Sequence, residues 1–479
     1  MSRTHKKKPQ QASDQEERVS ALELELVRER AENQRLRVNQ TRLQQLLERL
    51  REENQNLKRE ALRQATPFAR RKRVEVRKKS GRKAGQGVFR RREKPKRVDR
   101  TKKARLPGCP ECGSRLKEIH RHEQYVTDIP PVRPVTTRYI TYSGYCSKCH
   151  CRVRSHHPEQ TSEATGAAGV LVGPRAKALA ADLKHRLGCS YGKVSETLND
   201  AFGLQVGRSG WCQADPHLAK TARPVYQDLL EGIRHSNVVH VDETGWRVDT
   251  QPSWLWVFTH PKATLYAIRD NRSSDVVVEI LGKTFPGILA SDGFRAYDEK
   301  RLSEWLKQKC LAHLLRDLKE MQEVKRGGAL RFARDGTALL QAALALKKDK
   351  PTLLPAEFQR RAEELEERLD RLIARKRYLT DADNRRFARR LHRHREHLLR
   401  FLYVDQLDAT NNLAERQLRP AVITRKTNGC NRSHGGAEAH SILASVLATA
   451  RQNSLPILDY LVSVQRYGET PPAFTPSSD

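Results

Sequence analysis

No apolar run in this 479-residue chain approaches the roughly 18 residues that a membrane-crossing helix needs. The opening residues, Met1-Ser2-Arg3-Thr4-His5-Lys6-Lys7-Lys8, are polar, and no apolar stretch of a secretory signal follows them. A soluble, cytoplasmic protein without a membrane partner is the expectation. Cysteine is sparse too. Nine are too few for a disulfide scaffold at this length, and five crowd into 109–151, which in a reducing compartment points to metal. Acids are outnumbered, 57 against 91 Lys and Arg, for a formal net charge of +34. That imbalance favours a polyanionic partner, usually nucleic acid. The length allows two or three domains, each with its own core.

Residues 16–62 carry a heptad. Leu22, Leu36, Leu43, Leu50 and Leu57 share one register, broken by Glu29. Val19, Leu26, Asn33, Gln40, Leu47 and Asn54 hold the other seam. Leu at one seam and scattered Asn at the other predict a parallel two-stranded coiled coil. A long solvated helix packed on its own chain is the alternative.

A basic arm follows over 69–105. From Arg70 to Arg105 there are 19 Lys or Arg and three acids, Glu75, Glu93 and Asp99. So little apolar surface cannot fold alone, and the segment is expected to be disordered and to neutralise phosphates. A solubilising linker is the bland alternative.

Residues 106–155 hold Cys109-Pro110-Glu111-Cys112 and Cys146-Ser147-Lys148-Cys149. Each CxxC can turn two thiolates onto one tetrahedral ion. Tyr125–Ile129 and Thr137–Tyr142 read as strands between them, which predicts a zinc ribbon with structural Zn²⁺ on Cys109, Cys112, Cys146 and Cys149. His150 or Cys151 could replace one ligand.

Residues 163–236 read as helical, with a possible helix-turn-helix over Tyr191–Leu198 and Val206–Cys212; a plain helical bundle fits equally. At Asn237 the period becomes that of strands. Val238–Asp242 and Gly287–Gly293 are buried strands carrying an acid, Trp254–Thr259 and Thr264–Ile268 are hairpin-like strands, and Ser274–Leu281 is helical. Lys309–His313 reads as a fifth strand. That order predicts a ribonuclease H-like α/β domain over 237–465, with an all-helical insertion at about 330–404.

Asp242 and Asp292 would end neighbouring strands, and carboxylates that close repel unless a cation lies between them. Oxygen ligands suit Mg²⁺ or Mn²⁺, and two such ions can drive phosphodiester displacement. Asn411-Asn412-Leu413-Ala414-Glu415-Arg416 supplies a third acid, Glu415, on a helix. Glu243 and Asp298 are nearby acids for which the pattern gives no role, so substitution there is expected to cost less. Trp246, Trp254 and Trp256 could stack on unpaired bases, but core is the expected role.

His240–Trp246, Ser291–Tyr297, Cys310–Leu318 and Asn411–Arg416 resemble blocks of the Asp-Asp-Glu transposases of bacterial insertion sequences. Their order, with the zipper, basic segment and CxxC pairs ahead of them, is similar to the insertion-sequence sixty-six family. The Gly81–Gly87 segment departs from it by lacking a His. The resemblance implies Asp242, Asp292 and Glu415 as catalytic ligands of two Mg²⁺ ions, and it fits His313 and Arg316 near the site, with Arg416, Arg419, Arg425 and Lys426 as further DNA contacts. It implies a nucleoid-associated transposase that cuts double-stranded element ends and joins 3′ ends to target DNA. Partners would be a second copy through the coiled coil and accessory proteins of the same element. A catalytically inactive DNA-binding regulator, or a nuclease that cuts without joining, are the alternatives.

Overall fold

The computed structural model describes residues 20, 26–50, 53–54, 93–104 and 106–468. The chain divides into two units, Met1–Leu106 and Pro107–Asp479. In the first, 26–50 form one helix (α1) on which Leu26, Leu36, Leu43, Leu47 and Leu50 are exposed. Val19, Leu22 and Leu57 of the heptad lie outside the described residues, as does the arm up to 92. Residues 93–104 form neither helix nor strand.

The second unit opens with a small hairpin, β1 (Ser143–Cys146) and β2 (Cys151–Arg154), paired antiparallel through Cys146 and Cys151. The strands expected at Tyr125–Ile129 and Thr137–Tyr142 do not form; that chain runs without ladder bonds. The physical reason lies in its exposure. Val126, Ile129 and Val135 remain 79–91% exposed, so their β-branched pattern has no surface to cover.

Helices α2 (Pro174–Ala181), α3 (Tyr191–Phe202) and α4 (Arg208–Arg234) follow. Ser190 caps α3 by accepting from the Lys193 amide, and Gly203 ends it in the left-handed conformation that Gly adopts without a Cβ clash. Val194 and Leu198 on α3 pack on Trp211 near the start of α4. The remaining turns of α4 bury Leu218, Val225, Leu229 and Ile233 against the sheet. A buried polar chain ties these helices to α11 (His434–Gln452). Tyr191 donates to Asp215 at 2.5 Å, Asp215 meets His185 Nε2 at 2.8 Å, and His185 Nδ1 lies 2.9 Å from His440 Nδ1. His440 in turn stacks on Trp246.

Five strands make the main sheet: β3 (Val238–Val248), β4 (Gln251–His260), β5 (Ala263–Arg269), β6 (Ile288–Ser291) and β7 (Leu306–Lys309). Their order is β5-β4-β3-β6-β7. The first three form an antiparallel meander, while β3, β6 and β7 run parallel. This mixed sheet is compatible with a ribonuclease H-like domain. α5 (Ser274–Leu281) connects the meander to β6. Two boundaries differ from expectation. β3 does not stop at Asp242 but continues to a two-residue turn at Asp249 and Thr250, both left-handed. β7 ends at Lys309, because Leu311, Leu314 and Leu318 recur at helical spacing and bury one face of α6 (Leu311–Val324); His313 is helical rather than a strand residue.

Strand alternation sorts the sheet's two faces. Val239 and Val241 of β3 and Leu289 of β6 join the core under α4, α5, α11 and α12 (Ile457–Tyr467). Val238, Ile288 and Ala290 pack with α6 and with the helices α7 (Gly327–Asp349), α8 (Pro355–Ala374) and α9 (Ala382–Arg393). Farther along β3, Trp246 and Val248 meet Ala414, Leu418 and Ala421 of α10 (Asn412–Asn428). Trp246 and Trp256 are buried, at 3% and 0% exposure, so both serve as core.

Candidate functional site

β3 and β6 pair in parallel at Val238 with Ile288, Val239 with Leu289 and His240 with Ala290. Continued two residues, that register sets Asp242 beside Asp292, where the paired strands part. Both lie on the even face of their strands, the face that α6 and α10 cover. Asp292 accepts from the Phe294 amide at 2.8 Å, which fixes the turn after β6.

α10 brings the third acid. Glu415 sits in its first turn, where the helix dipole favours an anion. Asn411, 1% exposed, anchors that helix start. Its Nδ2 donates to the Val241 carbonyl at 2.8 Å, its Oδ1 lies 3.2 Å from His240 Nδ1, and its amide donates to Cys310 Sγ at 3.2 Å. The Leu311 amide donates to the Ala409 carbonyl at 2.9 Å. The starts of α6 and α10 are thereby laced together beside β3.

The electrostatics register the crowding. Burial first, then the charges of Glu243 and Asp292, with Glu415 adding to them, push the Asp242 carboxyl well above the usual carboxylate range. The Glu243 amide, donating at 2.9 Å, acts against that rise. Asp242, Asp292 and Glu415 would offer an all-oxygen donor set of the kind a hard divalent cation takes, although among the described residues their donor atoms do not fall together within 4.8 Å.

His313 and Arg316 lie on α6 at this edge. His313 Nε2 is 3.9 Å from Glu415 Oε1. Burial holds the imidazole below its ordinary value; Arg316 lowers it further, while Asp292 and Glu415 act in the opposite sense. Arg316, Arg416, Arg419 and Lys426 are exposed. Arg425 is turned inward instead, donating to Thr244 Oγ1 at 3.0 Å and to the Gly245 carbonyl at 2.5 Å. It ties α10 to β3.

Several residues that the sequence pattern passed over support the acids. Glu243, on the odd face, is buried and takes both Arg272 Nε at 2.8 Å and Nη2 at 2.6 Å, and also the Tyr297 hydroxyl. Asp298 meets the buried Lys309 ammonium at 2.8 Å, and Lys309 also donates to the Asp292 carbonyl at 3.2 Å. Both Glu243 and Asp298 thus have structural partners, which leaves open their expected smaller effect on DNA cutting. Cys310, which caps α6, joins His313 and Glu415 in a group whose donor atoms lie within 4.8 Å of one another. Asn411 alone carried a readable signal, since Asn is a preferred helix-start residue.

The two CxxC turns are each internally tight. Cys109 N donates to the Ser114 carbonyl at 3.0 Å, and the Gly113 amide to the Cys109 carbonyl at 2.8 Å. Contacts with Ser114, and then with Cys109, hold the Cys112 thiol below its ordinary value; Cys149 and Lys148 do the same for Cys146. Thiols lowered in this way are better metal ligands. Among the described residues, however, the two pairs do not come together as one cluster within 4.8 Å. His150 Nδ1 is 3.0 Å from the Tyr145 hydroxyl, and Cys151 Sγ donates to the Cys149 carbonyl at 3.2 Å.

No described helix is long and apolar enough to cross a membrane. Compared with curated proteins, the chain is 26% identical over 291 residues to the uncharacterized protein y4qI of Sinorhizobium fredii, a match that covers 54% of this chain and 53% of that protein. The chain thus spans about half the length of this relative. The profile described as Transposase IS66 family matches residues 169–439, which takes in α2 to α10, the whole main sheet and the positions of Asp242, Asp292 and Glu415. On that match, over more than half of its length, the chain belongs to the IS66 family of transposases.

Proposed function

We propose that the chain is an active DNA transposase whose catalytic centre is Asp242, Asp292 and Glu415. The single observation that carries this reading is the β3–β6 register that sets Asp242 beside Asp292, with Glu415 near enough for its charge to add to the burial and to the Glu243 and Asp292 charges that raise the Asp242 carboxyl. A regulator that only binds DNA has no use for a buried, raised carboxyl with two further acids beside it. The three carboxylates would hold two Mg²⁺ or Mn²⁺ ions, and bound metal of this kind activates the attacking hydroxyl and stabilises the leaving oxygen of a phosphodiester. Asn411 and Arg425 fix α10, and with it Glu415, against β3. Exposed Arg316 on α6 and Arg416, Arg419 and Lys426 on α10 would attract the backbone phosphates of element ends and target. α3 and α4 as a helix-turn-helix, the basic arm, a zinc ribbon on Cys109, Cys112, Cys146 and Cys149, and pairing of two copies through α1 complete the proposal.

The test is incubation of the purified protein with its flanking genomic DNA ends and Mg²⁺. Nicked ends and joined products are expected. Asp242→Asn and Glu415→Gln should each reduce cutting by about three orders of magnitude or more while leaving end binding intact. Near wild-type cutting by both variants would refute the assignment. Loss of binding with the cutting would favour the regulator.

A further inference from the structure

Glu415 stands in two constellations at once. One is the proposed set with Asp242 and Asp292, all oxygen, where the Glu415 charge is felt by Asp242. The other is with Cys310 and His313, a thiol and an imidazole, whose donor atoms lie with a Glu415 oxygen inside 4.8 Å. Cys310 is the residue just before α6 and His313 is its third residue, so the two share one face of the first turn. Glu415 approaches from the first turn of α10, with its Oε1 3.9 Å from His313 Nε2.

Two further features are what a ligand set would need. Cys310 Sγ accepts from the Asn411 amide at 3.2 Å, which fixes the sulfur beside the start of α10, while burial raises the thiol against that bond. His313 Nδ1 is buried and has no hydrogen-bond partner. The imidazole is thus held by no network of its own and can turn toward a cation at little cost. A sulfur, a nitrogen and a carboxylate oxygen suit Zn²⁺ or Co²⁺ far better than Mg²⁺. Tetrahedral zinc sets its donors about 3.3–3.8 Å apart. The group therefore has to contract by only about 1 Å, within reach of small side-chain rotations.

We propose that Cys310, His313 and Glu415 form a thiophilic cation site that shares Glu415 with the catalytic acids, so that Zn²⁺ bound there withdraws the third carboxylate and silences DNA cutting. Loading releases the Cys310 thiol proton to solvent and leaves a fourth position to water. The inhibitory half of this inference rests on Glu415 being a catalytic ligand; the binding half does not.

The test uses the full chain, reduced and stripped of metal, in buffer with millimolar Mg²⁺. Titration with Co²⁺ is read by thiolate-to-cobalt charge-transfer absorbance and by ligand-field bands. Cys310→Ser keeps a hydrogen-bond acceptor for Asn411, and His313→Gln serves as a second variant. The CxxC cysteines contribute equally to all three proteins and cancel in the difference. Wild type should take up one more Co²⁺ than Cys310→Ser, and His313→Gln should weaken that extra site about a hundredfold. Equal uptake with superimposable spectra would overturn the site. In the DNA assay, Zn²⁺ should inhibit wild type, and Cys310→Ser should need about a hundredfold more Zn²⁺ for the same inhibition. Cobalt bound through Cys310 without zinc inhibition would overturn the sharing of Glu415. If no protein cuts DNA with Mg²⁺ alone, the transposase reading fails, while the cobalt difference still decides the site.

Discussion

Replacing Glu243 by Ala should destabilise the catalytic unit strongly, although Glu243 is neither one of the three acids proposed as metal ligands nor exposed to DNA. Its side chain is 1% exposed and takes two guanidinium bonds from Arg272, at 2.8 and 2.6 Å, and one from the Tyr297 hydroxyl. Losing one partner of a fully buried ion pair costs about 3–5 kcal/mol. Arg272 is 34% exposed and lies over the rings of Trp254 and Phe294, so it recovers part of that from water and the aromatic faces, leaving about 2 kcal/mol. Tyr297, with 0% exposure, loses a hydroxyl partner that no water can replace, for about 1 kcal/mol more. The sum, about 3 kcal/mol, corresponds to a fall in melting temperature of about 4 °C for a unit of this size. Glu243→Gln keeps one acceptor and should lose about half as much. Asp242→Asn is the informative contrast. Its carboxyl is pushed up by burial and by neighbouring acids, so neutralising it should leave the metal-free protein as stable or more so. Thermal melts followed by circular dichroism, without metal, give the comparison. A Glu243→Ala shift under about 2 °C, or a larger loss in Asp242→Asn, would refute the reasoning.

Three other outcomes can be checked. Metal analysis should find one Zn²⁺ per chain lost on combined replacement of Cys146 and Cys149 by Ser; unchanged zinc in that variant would count against the ribbon. Leu36→Glu with Leu43→Glu should separate paired copies in sedimentation, and an unchanged sedimentation coefficient would exclude α1 as the pairing element. Burial takes the His394 imidazole down to about 4 against about 6.5 unfolded, with Asp298, 3.6 Å away, opposing the drop and Lys309, Arg393 and Arg390 reinforcing it. The unfolded chain therefore binds the extra proton first, so stability is lost as pH falls from about 6.5 toward 4, by about 1.4 kcal/mol at pH 5.5. Denaturant midpoints should fall less steeply with acid in His394→Gln, and identical slopes would refute the assignment.

The acids were legible in the sequence because each follows from a local pattern. Short apolar runs that reach Asp242 and Asp292 place two carboxylates at matching positions of parallel strands, and helical spacing in Asn411–Arg416 sets Glu415 in a first turn. The meander, the helix Ser274–Leu281 and the helical stretch after Gly327 were legible for the same reason. What failed needed partners far away in the chain. Tyr125–Ile129 has a strand's composition and no neighbouring strand to pair with. The bonds of Arg425 to Thr244 and Gly245, about 180 residues earlier, gave no local signal either.

Glu243 and Asp242 make the point most sharply, since they are adjacent, chemically alike and opposite in role. A strand turns successive side chains to opposite faces. Asp242 shares its face with His240 and Trp246, under the helix that carries Glu415. Glu243 faces the other core, where Arg272 and Tyr297, 29 and 54 residues onward, are waiting for a charge. Arg272 and Tyr297 tie the Glu243 carboxylate in place against the burial and the Asp292 charge that raise it, while Asp242, on the other face beside Asp292, is the acid proposed as a metal ligand. The register of β3 against β6 and α10 therefore decides which acid is which. A one-residue slip of β3 would exchange their faces, and so their roles, without changing a single residue of the motif.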